Sequence, residues 1–293
     1  MKAERGSAVI MAMLVVAVAT TLVAGALWQQ SALMRETENE RALAQARWLL
    51  RGAIDWAGVI LQEDARTSSV DHRGEPWAVP LADTRLNEND GRPAAFIAGA
   101  IEDEQGKFNL RNLAGADGVN RDELEVLRRL LALVRIDTHF ADLIADRTLA
   151  ALAARRAEAD LGRAFAEELL QVGLEPAALE RLRPLVTVLP EPTPLNVNTA
   201  PAELLAARVP DLGLVDAKRL IAGRDRAHFK DLADAVQRLR QASPLATESG
   251  LAVATRYFAI EGTVTYGAAR VSARALVRRQ PNRLEVLWLK EAA

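Results

Sequence analysis

The chain of 293 residues contains no cysteine, so neither a disulfide nor a thiolate metal site can hold it together. Its three histidines, His72, His139 and His228, lie far apart in sequence and read as surface or turn residues rather than a ligand set. No glycine-rich phosphate loop, zinc spacing or nucleophile motif is present, which makes an enzyme the least favoured class. An excess of charge is missing too. A formal net charge of -2 and a pI near 6.0 argue against a chain that binds nucleic acid along its length. Half of the residues are hydrophobic, which excludes a disordered chain and leaves room for one large or two medium domains.

Charge is also missing locally, because none appears between Arg5 and Arg35. The apolar run from Ser7 through Trp28 has about 22 residues, and about 20 helical residues cross a hydrocarbon core of about 30 Å. A cleavable secretory signal, a plain signal anchor and a leader cut on the cytoplasmic side all begin this way. The run is too long for the first and continues into helix-forming sequence. Lys2 and Arg5 keep the N-terminus cytoplasmic, so everything after Trp28 lies across the membrane.

From Ala32 to about Gln62 the pattern stays helical, with Leu33, Ala42, Ala46, Leu49, Ala53, Trp56, Val59 and Ile60 recurring at three- and four-residue steps. The membrane run and this amphipathic stretch read as one helix. Turn chemistry at Asp71–Pro76 and Asn87–Gly91 marks a long loop with at most a short strand. Strand patterns follow at Ala95–Ile101 and Lys107–Leu110, with a hairpin turn as one reading of the Glu102–Gly106 link. Asn120 with Glu123 predicts a helix start, with Leu124, Leu127, Leu130, Leu131 and Val134 on one face. Thr138 can cap a helix to about Glu158, and Phe165–Val172 and Pro176–Leu182 suggest two more. Pro190, Pro192 and Pro194 favour an extended connector, after which Asn198 or Thr199 can cap a helix with Pro201 in its first turn. Short helices are expected over Ala202–Val209 and Val215–Arg224. Three β-rich runs, Arg256–Thr265, Ala268–Arg279 and Arg283–Leu289, end the chain, and Val271, Ala273, Ala275 and Val277 alternate as one buried face.

The leader Arg5-Gly6-Ser7-Ala8-Val9-Ile10 resembles that of type IV pilins and type II secretion pseudopilins, whose peptidase cuts after the glycine. The implied processing bond is Gly6–Ser7. Most of that superfamily carries glutamate at the fifth mature position, where this chain has Met11, and an apolar residue there is similar to the minor pseudopilin K family. Asn109-Leu110, Asn112-Leu113, the helical block after the first strand, and the connector Arg183–Pro201 strengthen that resemblance, which covers essentially the whole chain.

It implies an α+β fold: a long stalk helix, transmembrane in its first half, and a pilin-like antiparallel sheet with a large all-α domain inserted into it. The expected divisions are a leader 1–6, a transmembrane segment 7–28, a stalk 29–64, a first pilin-like part 65–114, an inserted domain 115–250 and a second pilin-like part 251–293. Within the insert, 195–242 is similar to a helix-hairpin-helix unit. The implied function is assembly of the type II secretion pseudopilus at its tip, from an inner-membrane anchor with a periplasmic head. The implied partners are the I and J minor pseudopilins, a further H type, the prepilin peptidase and the inner-membrane platform.

A membrane-anchored DNA receptor of the competence type is the alternative that the helix-hairpin-helix likeness raises. Such hairpins bind phosphate through glycine amides, and Asp211 stands where the first glycine belongs. Near-neutral balance between Arg208, Lys218, Arg219, Arg224, Arg226, Lys230 and Arg238 and six acidic residues further disfavours nucleic acid. No cofactor is required. Some K-type subunits bind calcium, but the family's acidic turn is represented here only by Asp146-Arg147-Thr148-Leu149, and neither it nor Glu102-Asp103-Glu104 offers six to eight oxygens from one loop.

Overall fold

The computed structural model describes residues 4–87, 93–153, 172–281 and 283–292. A single helix, α1 (Glu4–Thr67), carries both the apolar run and the amphipathic stretch. At 1.5 Å per residue its 64 residues extend about 96 Å. Ala46, Leu50, Ile54, Ala57 and Leu61, spaced by three and four, form its buried seam. Leu33, Trp56 and Val59, which belong to the same periodic set, are exposed. The helix has more apolar residues than one face can bury. Small residues decide which stripe turns inward: Ala46, Ala57 and Gly58 let the sheet approach, and Leu284 packs over Gly58.

The sheet has five antiparallel strands in the order β1 (Leu81–Arg85), β2 (Ala95–Asp103), β9 (Tyr257–Tyr266), β10 (Ala269–Gln280) and β11 (Arg283–Ala292). Val271, Ala273, Ala275 and Val277 are all buried toward α1, as their alternation predicts. On the opposite face Leu276 joins Tyr257 and Leu189 in a smaller cluster. Gly99 and Gly262 face each other across β2 and β9. A Cβ on Gly99 would meet the Glu261 carbonyl oxygen at 2.6 Å. Gly99→Ala is therefore expected to cost about 1–3 kcal/mol by overpacking, measured as a shift in the denaturation midpoint at unchanged m-value.

β2 and β9 are neighbours in the sheet, yet residues 104–256 lie between them in sequence. The helical block is thus an insertion between two paired strands. No hairpin follows β2. Glu104–Gly106 form a 3-10 turn, with the Asp103 carboxylate accepting the Gln105 N–H at 2.7 Å. The next strand, β3 (Phe108–Asn109), pairs in parallel with β6 (Val186–Thr187) rather than folding back. Burial of Asp103 and Glu104 explains the departure, since a solvated hairpin turn would leave both in water.

A small hairpin, β4 (Ala114–Gly115) and β5 (Gly118–Val119), leads to α2 (Arg121–Leu133). Asn120 caps α2, accepting from the N–H groups of Asp122 and Glu123. Glu123 does not close a capping box; its carboxylate takes both Arg208 terminal nitrogens at 2.6 and 2.8 Å. Then come α3 (Phe140–Ala153), α4 (Pro176–Leu182), α5 (Ala202–Arg208), α6 (Leu214–Arg224) and α7 (Leu232–Arg240). The predicted helix end near Glu158, and Phe165–Val172 except for Val172, lie outside the described residues. Leu127, Leu130, Leu131, Ile144, Leu182, Leu205, Phe229 and Leu239 belong to one continuous core that joins the early and late helices. A parallel pair, β7 (Leu195–Asn196) and β8 (Leu251–Ala252), ties the connector to the chain's return.

The register fixes where the insertion sits. Gly262, mid-sheet, lies against Leu50, whereas Arg279 reaches Asp64 near the end of α1. The chain leaves the sheet at Asp103 and returns at Tyr257, on the Arg279 side. The helical domain therefore stands at the end of the sheet farthest from the apolar run.

Candidate functional site

Two features of the structure bear on function: the free surface of α1, and the polar joint that fixes the helical domain to the sheet. Along α1 the backbone is helical through Gly6 and Ser7, in the first turn, and through Met11, which is 66% exposed. From Val9 to Leu27 every large apolar residue is exposed. An 18-residue window there has mean hydropathy 2.5 with no part buried, long and apolar enough to cross a membrane. Higher up, Trp48, Gly52 and Trp56 recur at four-residue steps on the side away from the seam. The two tryptophans are 71% and 65% exposed, and a Cβ on Gly52 would meet nothing within 4 Å. Trp56 also borders an apolar cleft of about 100 Å³ between α1 and the β1 edge, lined further by Ile60, Trp77, Val79 and Leu81.

The joint is built where α1 ends. Arg279 of β10 bonds Asp64 at 3.0 Å and both oxygens of Asp71, and donates to the carbonyls of Leu61 and Thr255. Its guanidinium lies 4.9 Å from the Phe258 ring centre. Asp71 also accepts from the Thr255 N–H at 2.7 Å, while its carbonyl accepts from Asn196. Asn196 and Thr199 both donate to Asp103, at 2.8 and 2.6 Å, and Arg73 donates to the Thr199 carbonyl. Asn198 clamps the Phe229 backbone through both amide atoms, at 2.8 and 3.0 Å. Asn198 and Thr199, read from sequence as helix caps, are thus ties between elements, and Pro201 itself takes the N-cap of α5. Burial pushes the Asp64 and Asp103 carboxyls up to about 6. It raises Asp71 as well, against the lowering pull of Arg279.

The residues that the sequence offered for calcium are engaged elsewhere in the fold. Asp146 lies within α3 rather than a turn, and the Thr148 hydroxyl is spent on the Ile144 carbonyl. Glu102 and Glu104 are paired with Lys107 and Arg274, and Asp103 is fully used by its donors. Asp64, Asp71 and Glu75 can bring one oxygen each to within 4.8 Å of one another. Their charge is answered by Arg279 and by the N–H groups of His72 and Trp77, which makes the cluster an ion-paired joint.

Three of the seven cations counted for the nucleic-acid reading are engaged within the fold. Asp211 adopts a left-handed backbone at φ 57°, so the hairpin has the shape a glycine favours but presents a carboxylate. Arg224 is buried on the carbonyls of Val197 and Ala200, Arg208 on Glu123, and Arg238 is paired with Asp234. These three cations serve the fold and do not line a phosphate track.

Residues 195–254, which run from the end of the connector through the late helices to β8, match the model of a family described as type II secretion system (T2SS), protein K. Type II secretion system protein K of Pseudomonas aeruginosa is 30% identical over 313 residues, covering 98% of this chain and 92% of that one. Its counterpart in Pectobacterium carotovorum subsp. carotovorum is 25% identical, covering 97% and 95%. Among solved structures, a chain of the GspK-GspI-GspJ complex from the enterotoxigenic Escherichia coli type 2 secretion system superposes with a TM-score of 0.67 at 21% identity, covering 88% of this chain and 99% of that one. With near-complete coverage on both sides and the stalk, sheet and inserted helical domain in place, the chain belongs to the type II secretion system protein K family of minor pseudopilins.

Proposed function

We propose that this subunit occupies the tip of the secretion pseudopilus, where it starts assembly and caps the filament for export of folded proteins across the outer membrane. One observation carries the reading: the helical domain stands on the end of the sheet farthest from the membrane run. A subunit stacked above would meet that bulk, whereas α1 leaves its lower flanks open to neighbours. The apolar first half anchors the chain once in the inner membrane, with the head in the periplasm, as Lys2 and Arg5 before the span favour. Prepilin peptidase cuts between Gly6 and Ser7. Met11 then leaves this subunit without the carboxylate that pairs with a neighbour's terminal amine, sparing about 2.5–3.5 kcal/mol of insertion cost. The platform in the inner membrane would engage the same anchored end.

The partners on this reading are minor pseudopilins of the I and J types, with H as a further neighbour, and Trp56 is their anchor point on α1. Trp56→Ala is expected to weaken binding of the full chain to I and J subunits about 30-fold, about 2 kcal/mol, as truncation of an aromatic anchor does. Because Trp56 is exposed, the unfolding midpoint should barely move. Unchanged binding by calorimetry in detergent would remove the α1 flank from the interface. The broader reading is tested by the N-terminal mass of chain purified from membranes with and without a prepilin peptidase. A terminus at Ser7 only when the peptidase is present is expected; Met1 in both would leave a plain signal anchor.

A further inference from the structure

Two of the three histidines, 156 positions apart by their numbers, meet face to face. The His72 and His228 rings stack with centroids 3.8 Å apart and planes inclined by 12°. His72 belongs to the loop that follows α1, and His228 to the loop between α6 and α7. The contact thus spans the boundary between the stalk end and the helical domain. Both loops are held on their own sides. The His72 N–H donates to Glu75 at 2.9 Å and its Nδ1 accepts from the Gly74 N–H at 3.0 Å. Asn198 clamps Phe229, next to His228, and Arg238 donates to the Ala227 carbonyl.

We propose that the His72–His228 stack is a proton-operated latch between the stalk-end loop and the helical domain, closed when both rings are neutral and released when both are protonated. The acceptor role of Nδ1 fixes neutral His72 with its proton on Nε2, 3.7 Å from Glu75. A proton added at Nδ1 would set N–H against the Gly74 N–H and break that bond. His228 faces His72, Arg238 and Lys230 on the cationic side, with Glu75 alone opposing them. One imidazolium can rest on a neutral ring, but two stacked at this distance repel. Burial and these cations hold His228 below the ordinary imidazole range. The sign follows from that depression. The contribution is complete above about pH 6.5 and is lost as pH falls below it.

The latch works independently of the tip assignment, since it concerns contacts inside one chain. It also works against the carboxyl joint beside it, where Asp64 and Asp103 favour the folded state at lower pH. A comparison of variants therefore has to separate the two.

The test is hydrogen exchange of the full chain in detergent micelles, read by mass spectrometry and corrected for the intrinsic pH dependence. Peptides covering 68–77 and 225–231 are followed from about pH 7.5 to about pH 5. The expected result is that, relative to the His228→Phe variant, the opening constant of both peptides rises together by about tenfold as pH falls, with no matching rise in α5. His228→Phe keeps a stacking ring without a proton and should show no rise in either peptide across that range, leaving only the fall that the carboxyl joint produces. His72→Phe serves the same purpose from the other loop if His228→Phe fails to fold. Identical pH profiles in wild type and in whichever phenylalanine variant folds would overturn the latch.

Discussion

Replacing Arg279 by methionine is expected to destabilise the head by about 3–5 kcal/mol at neutral pH, because it strips the counter-charge from two buried carboxylates. Arg279 alone ties the last turn of α1, through Asp64 and the Leu61 carbonyl, to Asp71 and to the Thr255 carbonyl ahead of β9. Methionine fills much of the volume over Phe258 but offers no donor, so the deficit reports the charge rather than a cavity. The loss should shrink at pH 5, where Asp64 takes up a proton and needs no partner. Urea unfolding of the full chain in micelles, followed by fluorescence of buried Trp77, measures both values. A deficit below about 1 kcal/mol, or one that does not depend on pH, would mean that the joint draws its strength from its neutral hydrogen bonds.

The wild-type head is expected to lose stability as pH rises from about 4 to about 6, by roughly 3 kcal/mol for each of Asp64 and Asp103. Both carboxyls sit at about 6 in the folded chain against 3.8 when unperturbed. Below the lower value, both states are protonated and burial costs little. Between the two values, the unfolded chain ionises while the folded one keeps its proton, so the balance tips toward unfolding. Above about 6, both states are ionised and the penalty stays constant. Glu104 and Asp234, held below the usual carboxylate range, act in the opposite sense, their contribution being lost only as pH falls under about 4. Asp64→Asn should flatten its share of the slope and be neutral or stabilising at pH 7. A wild-type profile that rises through this window would contradict the assignment.

Local chemistry in the sequence carried far. The uncharged run to Trp28, the cap at Asn120 and the alternation of Val271, Ala273, Ala275 and Val277 each depend on neighbours a few residues away, and each element formed where they placed it. The inserted helical domain in a pilin-like sheet was implied by the resemblance to the minor pseudopilin K family, not by those local signals. Two features lay beyond local chemistry, the stalk's inward face and the role of Asn198 and Thr199. Periodicity says that a stripe is apolar, but not which of two stripes meets the sheet. That choice went to the small residues Ala46, Ala57 and Gly58, whose value appears only when Leu284 and β10 come close.

Likewise an asparagine before a helix is a cap in isolation, and becomes a tie only when a distant backbone, here Phe229, arrives to take both its amide atoms. What the sequence determined by itself is the set of elements and the apolar run, because these follow from composition and spacing along the chain. What only the tertiary structure decided is the joint. Asp64, Asp71, Asp103, Asn196, Thr255 and Arg279 are drawn together across more than two hundred positions. Their burial, raised carboxyl pKa values and shared cation exist only once the inserted domain has closed against the end of the stalk.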